Sequence, residues 1–96
     1  MQYFYRAHGK PEQVLGFADT FFGGRRFART GSGDHLRFSD ARGPVDVHVE
    51  IEGGHYTRVT VATQDVGESE LDKLAKRFLS ELHRVEEPAY RVRGAY

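Results

Sequence analysis

The stretch that most constrains this chain is "HVEIEGGHYTRVTV", residues 48–61. Two runs of alternating apolar residues flank Gly53 and Gly54, the pattern of a β-hairpin. In an antiparallel pair, opposed residues share a face and their numbers have a constant sum. A two-residue loop would set Glu52 against His55, Val59 against His48 and Val61 against Asp46, burying charge beside valine. A three-residue loop over 53–55 sets Glu52 against Tyr56 instead. Val49 then meets Val59, Val47 meets Val61 and Ile51 meets Thr57. A slip of one residue turns every side chain to the other face, so the apolar face selects the three-residue form. That loop commonly needs a glycine in the left-handed region, and two are present.

The same bookkeeping extends to the neighbouring strands. A four-residue "GSGD" loop is expected to place Phe27 opposite Phe38 and Arg29 opposite Leu36. A connection over 39–44 places Phe38 opposite Val45 and Leu36 opposite Val47. One apolar face follows: Phe27, Leu36, Phe38, Val45, Val47, Val49, Ile51, Val59 and Val61. The other face sets Arg37 against Asp46, His35 against His48 and Glu50 against Arg58, a solvated surface of opposite charges.

Helical periodicity brackets this meander. "QYFYRAH" reads as a first strand, over 1–8. Pro11 suits a helix start, and "PEQVLGFADTFF", 11–22, places Val14, Leu15, Phe17, Ala18, Phe21 and Phe22 at helical spacing. Gly16 weakens that helix by about 1 kcal/mol relative to alanine and would admit close packing on a sheet. Gly23-Gly24 should end it, the second glycine taking the sharp change of direction. In 69–85 the residues Leu71, Leu74, Ala75, Phe78, Leu79 and Leu82 form one apolar stripe, and Ser69 with Asp72 matches a capping box. Pro88 marks the exit into a tail, 88–96. The expectation is a single domain over 1–96, α+β and two-layered. Its five-stranded antiparallel sheet has the order β-α-β-β-β-β-α, strands 2 to 5 spanning 25–64, with the long C-terminal helix on one sheet face.

Composition excludes several classes. With no cysteine there is no disulfide scaffold, thiolate zinc site or cysteine nucleophile. No apolar run approaches the ~18 residues of a membrane span, and the N-terminus lacks a secretory pattern, so a soluble cytoplasmic protein without membrane contact is expected. The 14 basic and 14 acidic residues cancel. They are unevenly spread, +3 over 1–44 (7 basic, 4 acidic) and −3 over 45–96 (7 basic, 10 acidic). Such a dipole can steer self-association or an anionic ligand.

The two ends of the chain carry a resemblance. "GKPEQVLGFADTFFG" after a first strand, and "GGHYTRVTVATQDVGESELDKLAKRFLSELHRV", resemble the opening and close of the START-like helix-grip superfamily, which includes polyketide cyclase/dehydrase and lipid-transport proteins. The resemblance implies a hydrophobic cavity between sheet and final helix that holds lipids, polyketides or other apolar molecules. Members usually have further strands that help enclose that cavity, and this chain lacks them. A five-stranded version resembles equally the TATA-binding-protein-like fold, which uses the curved open face of a paired sheet on DNA.

Candidate residues follow. Arg25 and Arg29 share a face with Phe27, so with Val49, Leu74 and Phe78 they are expected to line a site for an apolar or amphipathic ligand, the arginines gripping a carboxylate. The plainer reading puts both arginines at a sheet edge, reaching water past the helix. His35 and His48 are adjacent, but a metal needs a third ligand, so no metal and no cofactor are expected. "RRFAR" with Arg37 and Arg42 is a basic cluster. The open face offers only Tyr56 for stacking, so nucleic acid is the lesser expectation. Ser32, Ser39, Ser69 and Ser80 lack a placed base, Glu86-Glu87 should be solvated, and no catalytic residue is assigned. A homodimer through open sheet edges, using "QYFYR", is also expected.

Overall fold

A computed structural model describes residues 1–66 and 69–86. The elements are β1 (Gln2–Ala7), α1 (Pro11–Gly23), β2 (Ala28–Ser32), β3 (His35–Asp40), β4 (Gly43–Glu52), β5 (Tyr56–Thr63) and α2 (Glu70–Glu86). The five strands form one antiparallel sheet in the order β1-β5-β4-β3-β2. Its expected element order and its α+β class are therefore present. β1 and β2, the first two strands in sequence, occupy opposite edges. The tail 88–96 lies outside the described residues.

The central hairpin has the three-residue loop. Glu52 pairs with Tyr56, Val49 with Val59 and Val47 with Val61. Gly53 and Gly54 both take positive φ, 63° and 75°, where a side chain would be strained. The β3–β4 register is also as expected, with Phe38 opposite Val45, but the connection is shorter: pairing continues to Asp40 and Gly43. Asp40 closes that turn by accepting the Arg42 amide at 2.8 Å and its guanidinium at 2.6 Å.

The β2–β3 register differs from expectation by two residues. Arg29, not Phe27, opposes Phe38, and Gly31 opposes Leu36. A two-residue loop, Gly33-Asp34, replaces the four-residue one. A shift of two leaves each side chain on its expected face, so alternation alone does not distinguish the two registers. Gly31 does: at φ 93°, a Cβ there would lie 2.5 Å from the His35 carbonyl oxygen. Phe27 falls just before the strand and is buried under α1. Ile51 is a second correction. It lies on the apolar face by register, yet it is 66% exposed, because the sheet there runs past the helices.

Both helices cover the same sheet face, α2 over β1 and β5 and α1 over β4 and β2. Between them Phe22 is the hub. Its ring stacks on Phe38 at 4.8 Å and meets Phe78 at 5.3 Å and Phe27 at 5.4 Å. Val45, Val47, Val49, Val59 and Val61 complete a fully buried floor. Gly16, expected to pack closely on the sheet, faces outward with nothing near its Cβ position. The sharp change after α1 also falls elsewhere than expected. Gly24 is still helical at φ −64°, and Arg26 is the left-handed residue, at φ 66°.

At the start of α2, Ser69 caps the helix by accepting the Asp72 amide at 3.1 Å. The Asp72 carboxylate is completely buried. It accepts hydroxyls from Thr63 at 2.7 Å, Ser69 at 3.2 Å and Tyr3 at 3.3 Å, tying α2 to β5 and β1. Burial pushes its pKa up, but the three hydroxyls more than offset this and hold it below the ordinary carboxylate range.

Candidate functional site

An opening lies where the end of β1, the start of α1 and the end of α2 converge. Gly9 ends β1 and turns the chain. Lys10 then donates its backbone N–H to the Gln13 side chain at 2.8 Å, and Pro11 opens α1. This puts Val14 and Phe17 on the flank of α1 that faces α2. The α2 stripe supplies Leu82, and Val85 stands at the lip, 57% exposed. Glu86 ties the corner together: its carboxylate accepts the amides of His8 at 3.1 Å and Gly9 at 2.9 Å and the Tyr5 hydroxyl at 2.9 Å. The cleft so formed has a volume of about 400 Å³ and is lined by His8, Gly9, Gln13, Val14, Phe17, Leu82, Val85 and Glu86. Its floor is apolar and its polar groups, His8, Gln13 and Glu86, converge at one side. A smaller cleft of about 140 Å³, bounded by Ile51 and Tyr56, lies across the His8–Gly9 ridge.

Glu86 was expected to be solvated with Glu87. It is instead half-buried and accepts three hydrogen bonds, while Glu87 lies outside the described residues. Its partners are backbone amides 77 and 78 positions away, which no side-chain pattern announces.

The six residues expected to line a ligand site are placed as follows. Val49 and Phe78 are fully buried, Phe27 is nearly so, and Leu74 is half-buried. Phe27 and Phe78 meet around Phe22, in filled core. Arg25 and Arg29 are exposed at the opposite end of α1 from the cleft. Arg25 lies 3.8 Å over the Phe21 ring and donates to the Phe21 carbonyl at 3.0 Å. Arg29 pairs with Asp19 at 3.0 Å. None of the six lines either of these clefts. Arg29 lies on the edge strand β2, whereas Arg25 lies in the turn before that strand and folds back onto α1.

On the open sheet face His35 and His48 oppose each other with ring centroids 5.9 Å apart. Among the described residues no group of three or more His, Cys, Asp or Glu is placed to hold a metal. His35 and Arg37 both engage Asp46, at 3.2 and 2.8 Å. Burial pushes the Asp46 pKa up, and these two partners more than reverse it, leaving it below the usual range. Arg58, paired by register with Glu50, makes its ion pair with Glu52 at 3.7 Å, and Arg6 reaches the same carboxylate at 2.8 Å. Among the described residues no helix is long and apolar enough to cross a membrane.

No protein-family model matches the chain, and no curated protein sequence matches it significantly.

Proposed function

We propose that this chain is a non-catalytic, helix-grip-like module of the START-like type, binding an apolar or amphipathic small molecule in the cleft between α1 and α2. The observation that carries this reading is the cleft itself. Its volume falls within the roughly 300–1,000 Å³ typical of small-molecule sites, with an apolar floor and a few convergent polar groups. The ligand's apolar body would lie on Val14, Phe17 and Leu82, and its polar end against His8, Gln13 and Glu86. The site is not the sheet–helix interior that the family resemblance implies, because four phenylalanines occupy that layer.

A nucleic-acid-binding role draws less support. The arginines of the open face are spent on Asp46 and Glu52 rather than left for phosphates. The reading is tested by titrating Nile red, an uncharged apolar dye, against wild type and Val85→Arg. Val85 is exposed enough for the variant to fold, and an arginine there would cross the mouth. The expected result is saturable binding that salt barely alters and that weakens at least tenfold in the variant. No saturable binding, or equal binding to both proteins, would overturn it.

A further inference from the structure

We propose that β1 is a self-complementary docking edge, on which a second copy of this chain pairs β1 with β1 antiparallel about a two-fold axis through Phe4. This inference is independent of the cleft.

The hydrogen-bond phase of the edge comes first. Met1 and Thr63 exchange both backbone bonds, at 3.0 and 2.9 Å. In an antiparallel ladder such exchange recurs at every second residue, so Tyr3, Tyr5 and Ala7 bond inward to β5. Gln2, Phe4 and Arg6 therefore turn their N–H and C=O groups outward, away from the sheet. A strand whose outward residues are 2, 4 and 6 is symmetric about Phe4. A two-fold there sets Phe4 against the partner's Phe4, which exchange both bonds, and Gln2 against the partner's Arg6.

The side chains agree on both faces. On the open face Phe4 is 54% exposed, unusual for its size, with Arg58 4.6 Å from its ring centroid. Pairing would bring the two Phe4 rings side by side. On the helix face α2 lies over β1 and β5. With strands about 4.8 Å apart, the two-fold would put the two α2 axes about 10 Å apart. That matches the roughly 8–10 Å of packed helices. Lys76 lies over Tyr3 and His83 against Tyr5, so Leu79, between them on the same stripe, sits level with Phe4 and would meet the partner's Leu79.

The contrast with the other edge argues for this one. β2 is short, all five of its residues are exposed, and Gly31 breaks its regular geometry at φ 93°. Such irregularity blunts an edge against pairing. β1 has no proline, lysine or positive-φ residue.

The test uses the full chain, which contains no cysteine. Wild type should show a concentration-dependent dimer in sedimentation velocity. Phe4→Pro removes an outward N–H and the exposed ring but no bond to β5, so it should keep the circular dichroism spectrum and sediment as a monomer. Phe4→Cys provides a second arm that does not depend on that variant folding. Opposed residues of an exchanging pair lie about 5.5 Å apart, within disulfide reach. Mild oxidation should therefore cross-link Phe4→Cys to a dimer at least tenfold faster than Thr30→Cys on the β2 edge. A wild type monomeric at every concentration would overturn the proposal, whether the edge is then left to solvent or taken by residues 87–96. So would equal cross-linking of the two cysteine variants.

Discussion

Asp72 shows how one residue can carry more than its local role. Its spacing from Ser69 marks it as a cap, and the amide at 3.1 Å makes that role good. Its carboxylate does something else, gathering hydroxyls from β1, β5 and the cap in a site without solvent. Because its folded pKa is held below the unfolded value, its charge contributes stability that is present above about pH 4 and lost as pH falls through the lower folded pKa. Asp72→Asn should therefore lower stability at neutral pH by about 1–3 kcal/mol, the cost of disrupting a buried hydrogen-bonded group. It should also flatten the loss of stability in acid, as followed by urea unfolding from pH 7 down to pH 2. A variant with the acid slope of wild type would remove Asp72 from that role. Gly16 supplies the opposite case. It is an exposed helical glycine with open space at its Cβ position, so Gly16→Ala should raise the unfolding free energy by about 0.5–1 kcal/mol. A destabilised variant would mean that Gly16 packs on something.

At the scale of elements, α2 is held by Leu71, Ala75, Phe78 and Leu82, all buried, with Leu74 and Leu79 half-covered on its flanks. Phe78 stacks against Phe17 at 5.8 Å and meets Phe22 and Phe21, so it joins α2 to α1, and Phe22 in turn stacks on Phe38 of the sheet. Phe78→Ala should cost about 3–5 kcal/mol in chemical denaturation, and an unchanged midpoint would contradict its place in the core. The apolar stripe of α2 and the register of the β4–β5 hairpin could be read before any coordinates, for one physical reason. Each is a periodic burial pattern that a single-residue error would invert. The β2–β3 register could not, because a shift of two keeps Arg29 and Phe38 on the same face and leaves the choice to Gly31's backbone. The exposure of Ile51 escaped as well, since alternation gives the face of a residue and not how far the covering helices extend. The cleft was the least legible feature. Its polar corner is built from amides of His8 and Gly9 meeting Glu86, a contact made by topology rather than by residue type.

At the scale of the molecule, the two halves of the sequence, of opposite net charge, meet in ion pairs across the sheet. Arg37 reaches Asp46 and Arg6 reaches Glu52, so basic groups of the first half neutralise acidic groups of the second across the sheet. What remains distinctive is apolar: a packed phenylalanine layer, an edge strand bearing an exposed Phe4, and a cleft between the helix ends. Because that layer is packed, the proposed ligand site lies at the mouth between α1 and α2. The most direct test is a map of backbone amide shifts by nuclear magnetic resonance as Nile red is titrated into the protein. The predicted result is a saturable set of shifts centred on His8, Gly9, Gln13, Val14, Phe17 and Val85, with Val49 and Phe27 unmoved. Shifts centred on Val49, Phe27 and Phe78, or none that saturate, would contradict the assignment of the cleft as the binding site.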